Sequence, residues 1–151
     1  MEEYMSAIVS QIIRNKSDVW SVVPEETVFA ALEKMAEKDI GALVVIKEGK
    51  LVGIFSERDY ARKVILRGRS SKTTLVGELM TKDVFTVNLD TTIKDCMTLA
   101  TEKRIRHLPV VEKGKVVGMV TIGDIVKAII SDQQVLIDQM ENYISGRGYV
   151  R

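Results

Sequence analysis

Residues 53–59 of the chain read Gly-Ile-Phe-Ser-Glu-Arg-Asp, and residues 118–124 read Gly-Met-Val-Thr-Ile-Gly-Asp. Each run begins with a glycine and places a hydroxyl side chain three residues before a carboxylate. The two runs are separated by a fixed distance of 65 residues. Because self-similarity at a fixed distance marks a repeated structural unit, this pair indicates an internal repeat, and the repeat decides the fold.

The repeat extends well beyond these two runs. Residues 20–63 align with residues 85–128 without a gap, and 12 of the 44 paired positions are identical. Positions that differ exchange one apolar residue for another where burial is expected, as Ile54 does with Met119. Two copies are too few for a solenoid. The 151 residues are therefore predicted to form one module made of two similar halves.

Each half shows the same predicted order of strand, helix, strand, strand and helix. β-prone starts at 20–23 and 85–87 precede apolar positions at helical spacing, and two β-rich runs joined by a Gly-containing turn follow. The predicted class is α/β (α+β), with two pseudo-symmetric β-α-β-β-α repeats packed sheet to sheet. The predicted boundaries are a lead-in helix at 1–19, repeats at 20–67 and 85–130, a linker with a short helix at 68–84, and a helical extension with a flexible tail at 131–151.

Composition excludes several classes of protein. The net charge is +1, 46% of residues are apolar and 28% are charged, which excludes a disordered chain and a general polyanion binder. One cysteine and one histidine exclude a disulfide framework and a multi-ligand zinc site. No apolar run approaches the ~20 residues of a membrane span, and the start lacks the basic residues of a secretory signal. We expect a cytoplasmic protein with no nucleic acid or membrane partner.

The two Gly-led runs have a structural and a functional interpretation. Ser56 or Thr121 can cap the following helix while the acid bonds back to the amide of the capping residue, which is a capping box. Alternatively, Asp59 and Asp124 can accept hydrogen bonds from the two hydroxyls of a ribose, and the helix start can present amides to it. One aspartate can serve both purposes.

Together these residues resemble a family. The two Gly-x-x-Ser/Thr-x-x-Asp runs, the segment Arg106-His107-Leu108-Pro109-Val110-Val111 and the repeated unit look like a tandem pair of cystathionine-β-synthase (CBS) domains, also called a Bateman module. The resemblance covers about residues 9–130. It is closest to stand-alone bacterial CBS-pair proteins labelled as related to inosine-monophosphate dehydrogenase. The catalytic barrel of that enzyme, ~250 residues, does not fit within this length.

The resemblance implies a regulatory module that binds an adenine nucleotide, such as AMP, ADP, ATP or NAD, or S-adenosylmethionine, in two clefts between the halves. Asp59, Asp124, Ser56 and Thr121 would bind ribose. One cleft would combine Thr121, Gly123 and Asp124 with Met119, Val22, Ile40, Gly41 and Ala42. The other would combine Ser56, Arg58 and Asp59 with Ile54, Val87, Ile105, Arg106 and His107.

Both the base pocket and the phosphate site have simpler alternatives. Without the resemblance, Ile40, Ile54, Ile105 and Met119 are more typical of plain core packing than of a base pocket. For the phosphates, residues 57–72 carry six basic and two acidic residues, a local charge of +4, and a solvated helix face is the usual meaning of such a run. Within and beyond this run, the predicted phosphate-binding residues are Arg58, Arg62, Lys63, Arg106, His107 and Gly123.

Other residues indicate packing and assembly rather than catalysis. Cys96 falls on the apolar stripe of a helix, aligned with Ala31, and is predicted to be a core residue. No phosphate-binding glycine loop, nucleophile system or metal cluster is found, so we expect no enzyme, no catalytic cofactor and no metal. Leu136, Met140 and Tyr143 in the last stretch are expected to extend a homodimer contact. The alternative function is a scaffold that dimerises and binds a partner protein, and a regulated protein is a further expected partner.

Overall fold

The computed structural model describes residues 7–13 and 19–145 of the chain. Within these residues the contacts divide the chain into two compact units. The first unit consists of residues 19–86 and 109–119, and the second consists of residues 7–13, 87–108 and 120–145. The mixed α and β class predicted from the sequence is confirmed.

The first unit contains a three-stranded sheet. Strand β1 (Ser21–Val22) pairs in parallel with β2 (Ala42–Lys47), and β2 pairs antiparallel with β3 (Lys50–Ser56). Helix α2 (Val28–Lys38) makes the crossover between β1 and β2. The parallel pair therefore has the helical connection that such strands require, while β2 and β3 form a hairpin.

Sequence explains where α2 begins, which face it buries and where it ends. The hydroxyl of Thr27 accepts the amide N–H of Ala30 at 3.1 Å, so it caps the first turn. Val28, Ala31 and Met35 are buried and share one helix face. The helix ends at Asp39, whose φ of 53° is left-handed. The predicted apolar stripe is confirmed at these three residues.

The core of the first unit lies between the sheet and its helices. Phe55 and Leu43 are fully buried there, and partly buried residues such as Trp20 and Tyr60 pack against the cluster. Burial of a large apolar side chain contributes about 1.5–3 kcal/mol to folding. The buried members of the cluster are Val22, Val28, Ala31, Met35, Leu43, Val45, Phe55, Val64, Val76 and Leu79.

Both hairpins turn through two residues with positive φ. Glu48 and Gly49 have φ values of 51° and 79°, and Lys113 and Gly114 have the same two values. Two successive positive φ angles are typical of the type I′ turn, whose twist matches the flanking strands. The Gly-containing hairpins predicted for both repeats are confirmed.

The second unit contains helices α5 and α6 and the ends of a hairpin. Helix α5 (Ile93–Lys103) is capped by Thr92, whose hydroxyl accepts the N–H of Asp95 at 3.1 Å. Strands β4 (His107–Glu112) and β5 (Lys115–Thr121) form a two-stranded sheet, and α6 (Ile122–Ser145) follows β5 directly. Only residues 107–108 and 120–121 of this hairpin belong to the second unit.

Within the described residues, the predicted lead-in helix is a short segment of the second unit. Helix α1 spans Val9–Ile13, and the remainder of residues 1–19 lies outside the described residues except for 7–8 and 19. The N–H of Val9 donates to Thr91 O at 2.8 Å, and Ile8 forms an antiparallel bridge with Thr92. Backbone bonds therefore fix this segment to the start of α5.

The strand predicted at residues 85–87 is wrong. In the described part of the chain, Val87 makes only an isolated bridge, and Phe85 and Thr86 belong to no strand. Asn88 starts a tight turn in which its side chain accepts the N–H of Asp90 at 2.8 Å. In addition, Pro109 stands where the first repeat has Val44, the partner of Ser21 in β1, and proline has no N–H to donate.

The second helix predicted for the first repeat is present, but most of it is not α-helical. Helix α3 comprises only Glu57–Asp59, and residues Tyr60–Ile65 continue it as a π-helical turn. The widened turn buries Val64 completely while it leaves the Lys63 ammonium 3.1 Å from Asp59. A short helix, α4 (Val76–Leu79), lies in the described connection between the repeats.

No helix in the described ranges combines the length and apolar character that a membrane crossing requires. Helix α6 is long enough, at 24 residues, but polar residues interrupt it.

We predict that Cys96 is protected from reaction by its burial. The side chain is fully buried, and burial, with a smaller contribution from Asp95, raises the pKa of its thiol to about 11. Since the thiolate is the reactive form, modification by a disulfide reagent at pH 8 is expected to be at least about 100-fold slower in the folded protein than in denaturant.

The raised pKa of Cys96 also predicts a pH dependence of stability. Between the unfolded pKa near 8.5 and the folded pKa of about 11, the folded state holds the thiol proton more tightly, so stability falls as pH rises. Urea unfolding should show a smaller loss from pH 8.5 to 10.5 in Cys96→Ala, which copies Ala31 of the first repeat. Equal losses in both proteins would contradict the prediction.

Candidate functional site

The junction between β3 and α3 contains a complete capping box. Ser56 ends the strand, and its hydroxyl accepts the N–H of Asp59 at 3.1 Å. In return, the carboxylate of Asp59 accepts the N–H of Ser56 at 3.0 Å. The N–H of Glu57 donates to Gly41 O at 3.0 Å, so these three amides at the helix start are all satisfied within the unit.

Asp59 has three further donors besides this backbone amide. Its Oδ2 atom also accepts the Ser56 hydroxyl at 3.0 Å, while Oδ1 accepts the Thr81 hydroxyl at 3.2 Å and lies 3.1 Å from the Lys63 ammonium. The same ammonium donates to Leu79 O at 3.0 Å. Only 9% of Asp59 is exposed. The carboxylate therefore ties α3, the π-helical turn and residues 79–81 together.

Gly53, which begins the first motif, allows residues 80–81 to approach β3. A Cβ atom at this position would lie 2.5 Å from Met80 Sδ and 3.0 Å from Thr81 O. Ile54 and Thr81 exchange two backbone hydrogen bonds of 3.0 and 2.9 Å at the same place. The glycine is therefore explained by close packing at the sheet edge.

The junction between β5 and α6 repeats the capping box. The hydroxyl of Thr121 accepts the N–H of Asp124 at 3.1 Å, and the carboxylate of Asp124 accepts the N–H of Thr121 at 2.8 Å. The N–H of Ile122 donates to Arg106 O at 3.0 Å, as Glu57 does to Gly41 in the first unit. The capping interpretation is therefore confirmed at both junctions. Ribose binding by the same residues stays a prediction.

A groove of about 300 Å³ lies beside the first junction, at the end of α2. Two predicted base-pocket residues, Ile40 and Gly41, line it together with the acids Asp39 and Glu57. Its volume is at the lower end of the range for small-molecule pockets. The two carboxylates make the groove unfavourable for a phosphate. The remaining lining residues are Leu32, Met35 and Ala36.

The other predicted base-pocket residues divide by burial. Val22, Ala42 and Val87 are buried, with 2%, 6% and 7% of their surface exposed, as the core-packing alternative predicts. The partly exposed residues, which retain some surface for a ligand, are Ile54, Ile105 and Met119.

The basic residues of the first repeat are not equally available. Arg58 and Arg62 are exposed. Lys63 is engaged by Asp59 and Leu79, Arg69 bonds Glu78 at 2.9 Å, and the Lys72 ammonium lies 5.2 Å from the centre of the Phe29 ring. A phosphate role for Lys63 therefore requires that it leave its present partners, whereas Arg58 and Arg62 are accessible as they stand.

The remaining predicted phosphate residues lie in two places. Arg106 is exposed just before β4, and His107 is the first residue of that strand and is half-buried. Gly123 is exposed in the first turn of α6, and the nearest atom to an added Cβ there would be the Thr121 hydroxyl at 3.5 Å. The structure brings Arg106 beside the second junction through its carbonyl bond to Ile122.

The segment between the repeats has its own ion pair. Glu78 accepts the N–H of Leu75 at 2.8 Å as well as the Arg69 guanidinium. The Leu75 amide and then Arg69 lower the pKa of Glu78, because both favour the ionised form. Glu78 therefore caps the start of the short helix α4 and connects it to Arg69.

Thr81 is the contributor to the first junction that the sequence analysis missed. It lies 22 residues from Asp59 and outside the aligned repeat, so no local pattern points to it. The ion pair between Asp59 and Lys63 does have a sequence signal, because opposite charges four residues apart on a helix can pair. Among the described residues, no group of three His, Cys, Asp or Glu side chains can hold a metal ion.

A family model and a curated relative both match this chain to proteins with CBS domains. The family model described as CBS domain matches residues 9–66 and 76–131. The chain is 40% identical to the mitochondrial CBS domain-containing protein CBSX3 of Arabidopsis thaliana, over 99% of this chain and 78% of that protein.

Solved structures agree with these matches. A protein of Burkholderia ambifaria, described as a signal-transduction protein with CBS domains, is 46% identical with a TM-score of 0.81, over 84% of this chain and 96% of that chain. A hexameric CBS-CP12 protein from bloom-forming cyanobacteria is 28% identical with a TM-score of 0.74, over 81% and 67% of the two chains.

We predict that substitution by alanine changes the free energy of unfolding differently at Gly53 in the first run and at Gly123 in the second. Gly53→Ala is expected to lower the free energy of unfolding by about 1–3 kcal/mol, because Met80 and Thr81 must move. Gly123→Ala is the matched control and should be neutral or stabilising by up to about 1 kcal/mol, because its Cβ meets no close atom in a helix. Urea unfolding measures both, and equal effects would show that Gly53 is not held by close packing.

Proposed function

The chain belongs to the CBS-domain family, and from that premise we propose that it is a sensor that binds an adenine nucleotide and catalyses no reaction. CBS-pair proteins are generally regulatory modules, and relatives of this chain are described as CBS-domain and signal-transduction proteins. The proposed ligands are AMP, ADP, ATP or NAD. The nucleotide is a regulatory ligand and not a catalytic cofactor.

The observation that carries this proposal is the hydroxyl and carboxylate pair retained at both strand–helix junctions. Ser56 with Asp59 and Thr121 with Asp124 keep the same geometry although only 12 of 44 aligned positions are identical. An ionised carboxylate accepts two adjacent ribose hydroxyls well, since it offers acceptors only. A hydroxyl next to it supplies a further donor and acceptor.

The neighbouring residues supply the other parts of a nucleotide site in this proposal. In one predicted cleft the partly exposed side chains of Ile54 and Ile105 suit the faces of an adenine, and in the other the side chain of Met119 does. Exposed guanidinium groups of Arg58 and Arg62 suit phosphates, which arginine binds through several N–H groups at once. A purine nucleoside with a 5′-phosphate combines these three chemistries.

We also propose that the module forms a homodimer through α6. Exposed apolar residues recur along one side of this helix, and Ile130, Ile137 and Met140 have 57%, 46% and 55% of their surface exposed. An apolar helix stripe that faces solvent is typical of an interaction surface. The hexameric relative supports oligomerisation within the family. Leu136 and Tyr143, which we predicted for the same contact, have side chains outside the described set.

The same stripe favours a second function, a scaffold that dimerises and binds a partner protein without a nucleotide. A ligand panel separates the two functions. A saturating ligand raises the melting temperature because it binds only the folded state. AMP, ADP, ATP, NAD, NADH and S-adenosylmethionine are each tested at 1 mM. A shift with at least one adenine nucleotide is expected, and no shift with any compound would favour the scaffold.

We predict that the exposed arginines of the first repeat contribute to nucleotide affinity. Reversing Arg58 and Arg62 to glutamate should weaken AMP binding at least about tenfold in calorimetry, because two cations near the phosphate become anions. The melting temperature should change little, since both residues are exposed. Lys50→Glu, at the exposed hairpin turn, is the matched control. Unchanged AMP affinity in the double variant would place the phosphates elsewhere.

We predict that a charge on the α6 stripe prevents dimerisation. Ile130→Glu and Ile137→Glu together are expected to give a monomer in sedimentation at about 10 μM, because buried unpaired carboxylates are costly. Ser131→Glu adds a carboxylate at an exposed position about 100° around the helix from Ile130, outside the apolar stripe, and should leave the dimer intact. A dimer that persists in the double variant would assign the contact to another surface.

A further inference from the structure

Two segments of the chain carry opposite charges. Residues 65–72 read Ile-Leu-Arg-Gly-Arg-Ser-Ser-Lys, with three basic residues and no acid. Residues 130–141 read Ile-Ser-Asp-Gln-Gln-Val-Leu-Ile-Asp-Gln-Met-Glu, with three acids and no lysine or arginine. We call them the basic segment and the acidic segment. The basic segment starts at the end of the π-helical turn in the first unit, and the acidic segment lies on α6 in the second unit.

Each segment also exposes apolar side chains. In the basic segment, Ile65 and Leu66 have 54% and 78% of their surface exposed. In the acidic segment, Ile130 and Ile137 belong to the exposed stripe of α6. Ile65 and Ile130 are separated by the repeat distance of 65 residues, so both repeats expose an isoleucine at the same position. Exposed apolar side chains that lie together are typical of a surface that another molecule covers.

Two cations of the basic segment are available to a partner. Arg67 is exposed. Lys72 is exposed as well, and its ammonium lies 5.2 Å from the centre of the Phe29 ring. Arg69, by contrast, bonds the Glu78 carboxylate at 2.9 Å. The charge that the basic segment offers to a partner is therefore carried by Arg67 and Lys72.

Two described acids of the acidic segment lie along one edge of the apolar stripe. At 3.6 residues per turn, Glu141 is about 40° around the helix from Ile137, and Asp138 is about 60° further in the same direction. Both acids are exposed, and Asp138 accepts the side-chain amide of Gln134 at 3.0 Å. The acidic segment therefore presents a row of carboxylates beside apolar side chains.

These charges distinguish two ways to build a homodimer. If like segments met, two basic segments would face each other and two acidic segments would do the same, so like charges would oppose both contacts. If unlike segments met, the cations of one copy would face the carboxylates of the other, and a two-fold axis would make this contact twice. Charge complementarity therefore favours contact between unlike segments.

We propose that the basic segment of one copy packs against the acidic segment of a second copy, so that the homodimer is head to tail. This contact rests on the homodimer proposed above and names the surface that α6 meets. The occupant is a second copy because the chain carries both complementary segments and leaves their apolar side chains exposed. The contact requires no nucleotide, so it is tested whether or not the chain binds one.

Charge reversal in each segment tests the contact. Arg67→Glu with Lys72→Glu makes the basic segment acidic, and Asp138→Lys with Glu141→Lys makes the acidic segment basic. Either pair alone should raise the dissociation constant of the dimer at least about tenfold in sedimentation, because unlike segments then carry like charges. All four changes in one chain should return the constant to within about threefold of wild type, because they restore the attraction.

Lys50→Glu with Lys115→Glu is the matched control for the first pair. It changes the net charge by the same amount at exposed positions of the two hairpins, and the dissociation constant should not change. If like segments met, neither pair would weaken the dimer, because like charges would still face each other. That result would overturn the head-to-tail contact and leave the homodimer in place. A wild-type chain that is monomeric at the concentration used for the variants would overturn both.

Salt tests the same contact without a substitution. The dissociation constant of the wild-type dimer should rise as sodium chloride increases from about 0.05 M to about 0.5 M, because salt screens the attraction between exposed charges. A constant that falls over this range would show that like charges face each other and would overturn the head-to-tail contact.

Cross-linking tests the orientation directly. In a Cys96→Ala background, Leu66→Cys and Met140→Cys are made in separate chains, each at an exposed position. A short bismaleimide should join two chains only after the variants are mixed and have exchanged subunits, because residue 66 of one copy meets the acidic segment of the other. Joined chains within either variant alone would overturn the orientation. A wild-type chain that stays monomeric and sediments with anionic lipid vesicles would overturn the contact and assign the basic segment to a membrane surface.

Discussion

Each repeat changes from strand to helix without an intervening loop, and the rest of the module depends on how this junction satisfies its backbone. The first amides of a helix have no partner within the helix. At the first junction, Ser56 and Asp59 satisfy one another's amides, and Glu57 bonds to Gly41. The same three bonds recur at Thr121, Asp124 and Ile122. Since β3 and β5 end at these bonds, the bonds fix where each second helix starts.

This constraint changes how the repeated motif is to be interpreted. A hydroxyl and a carboxylate three residues apart are required by the backbone whether or not a ligand binds. Retention of Asp59 and Asp124 is therefore evidence for the fold first. The retained pair supports a nucleotide site only together with the side chains that surround each capping box. At Asp59 the second carboxylate oxygen contacts Thr81 and Lys63.

Local patterns predicted the parts of the fold that local forces determine. The hairpins follow from Gly49 and Gly114 at positive φ, and the helix starts follow from Thr27 and Thr92. The failures have non-local or subtle causes. The strand expected at 85–87 depended on a pairing in which Pro109 has no N–H to give. Thr81 reaches Asp59 across 22 residues outside the repeat, and no spacing rule finds such a contact.

The differences between the repeats carry more information about function than their similarities do. Where the first repeat has Arg58 and Lys63, the second has Gly123 and Ala128, so the second helix start carries two fewer basic residues. The first helix then breaks into a π-helical turn that supports an internal ion pair, while α6 continues for 24 residues with an exposed apolar side. The same motif is thus followed by two different structures: a π-helical turn with an internal ion pair in the first repeat, and a long helix with an exposed apolar side in the second.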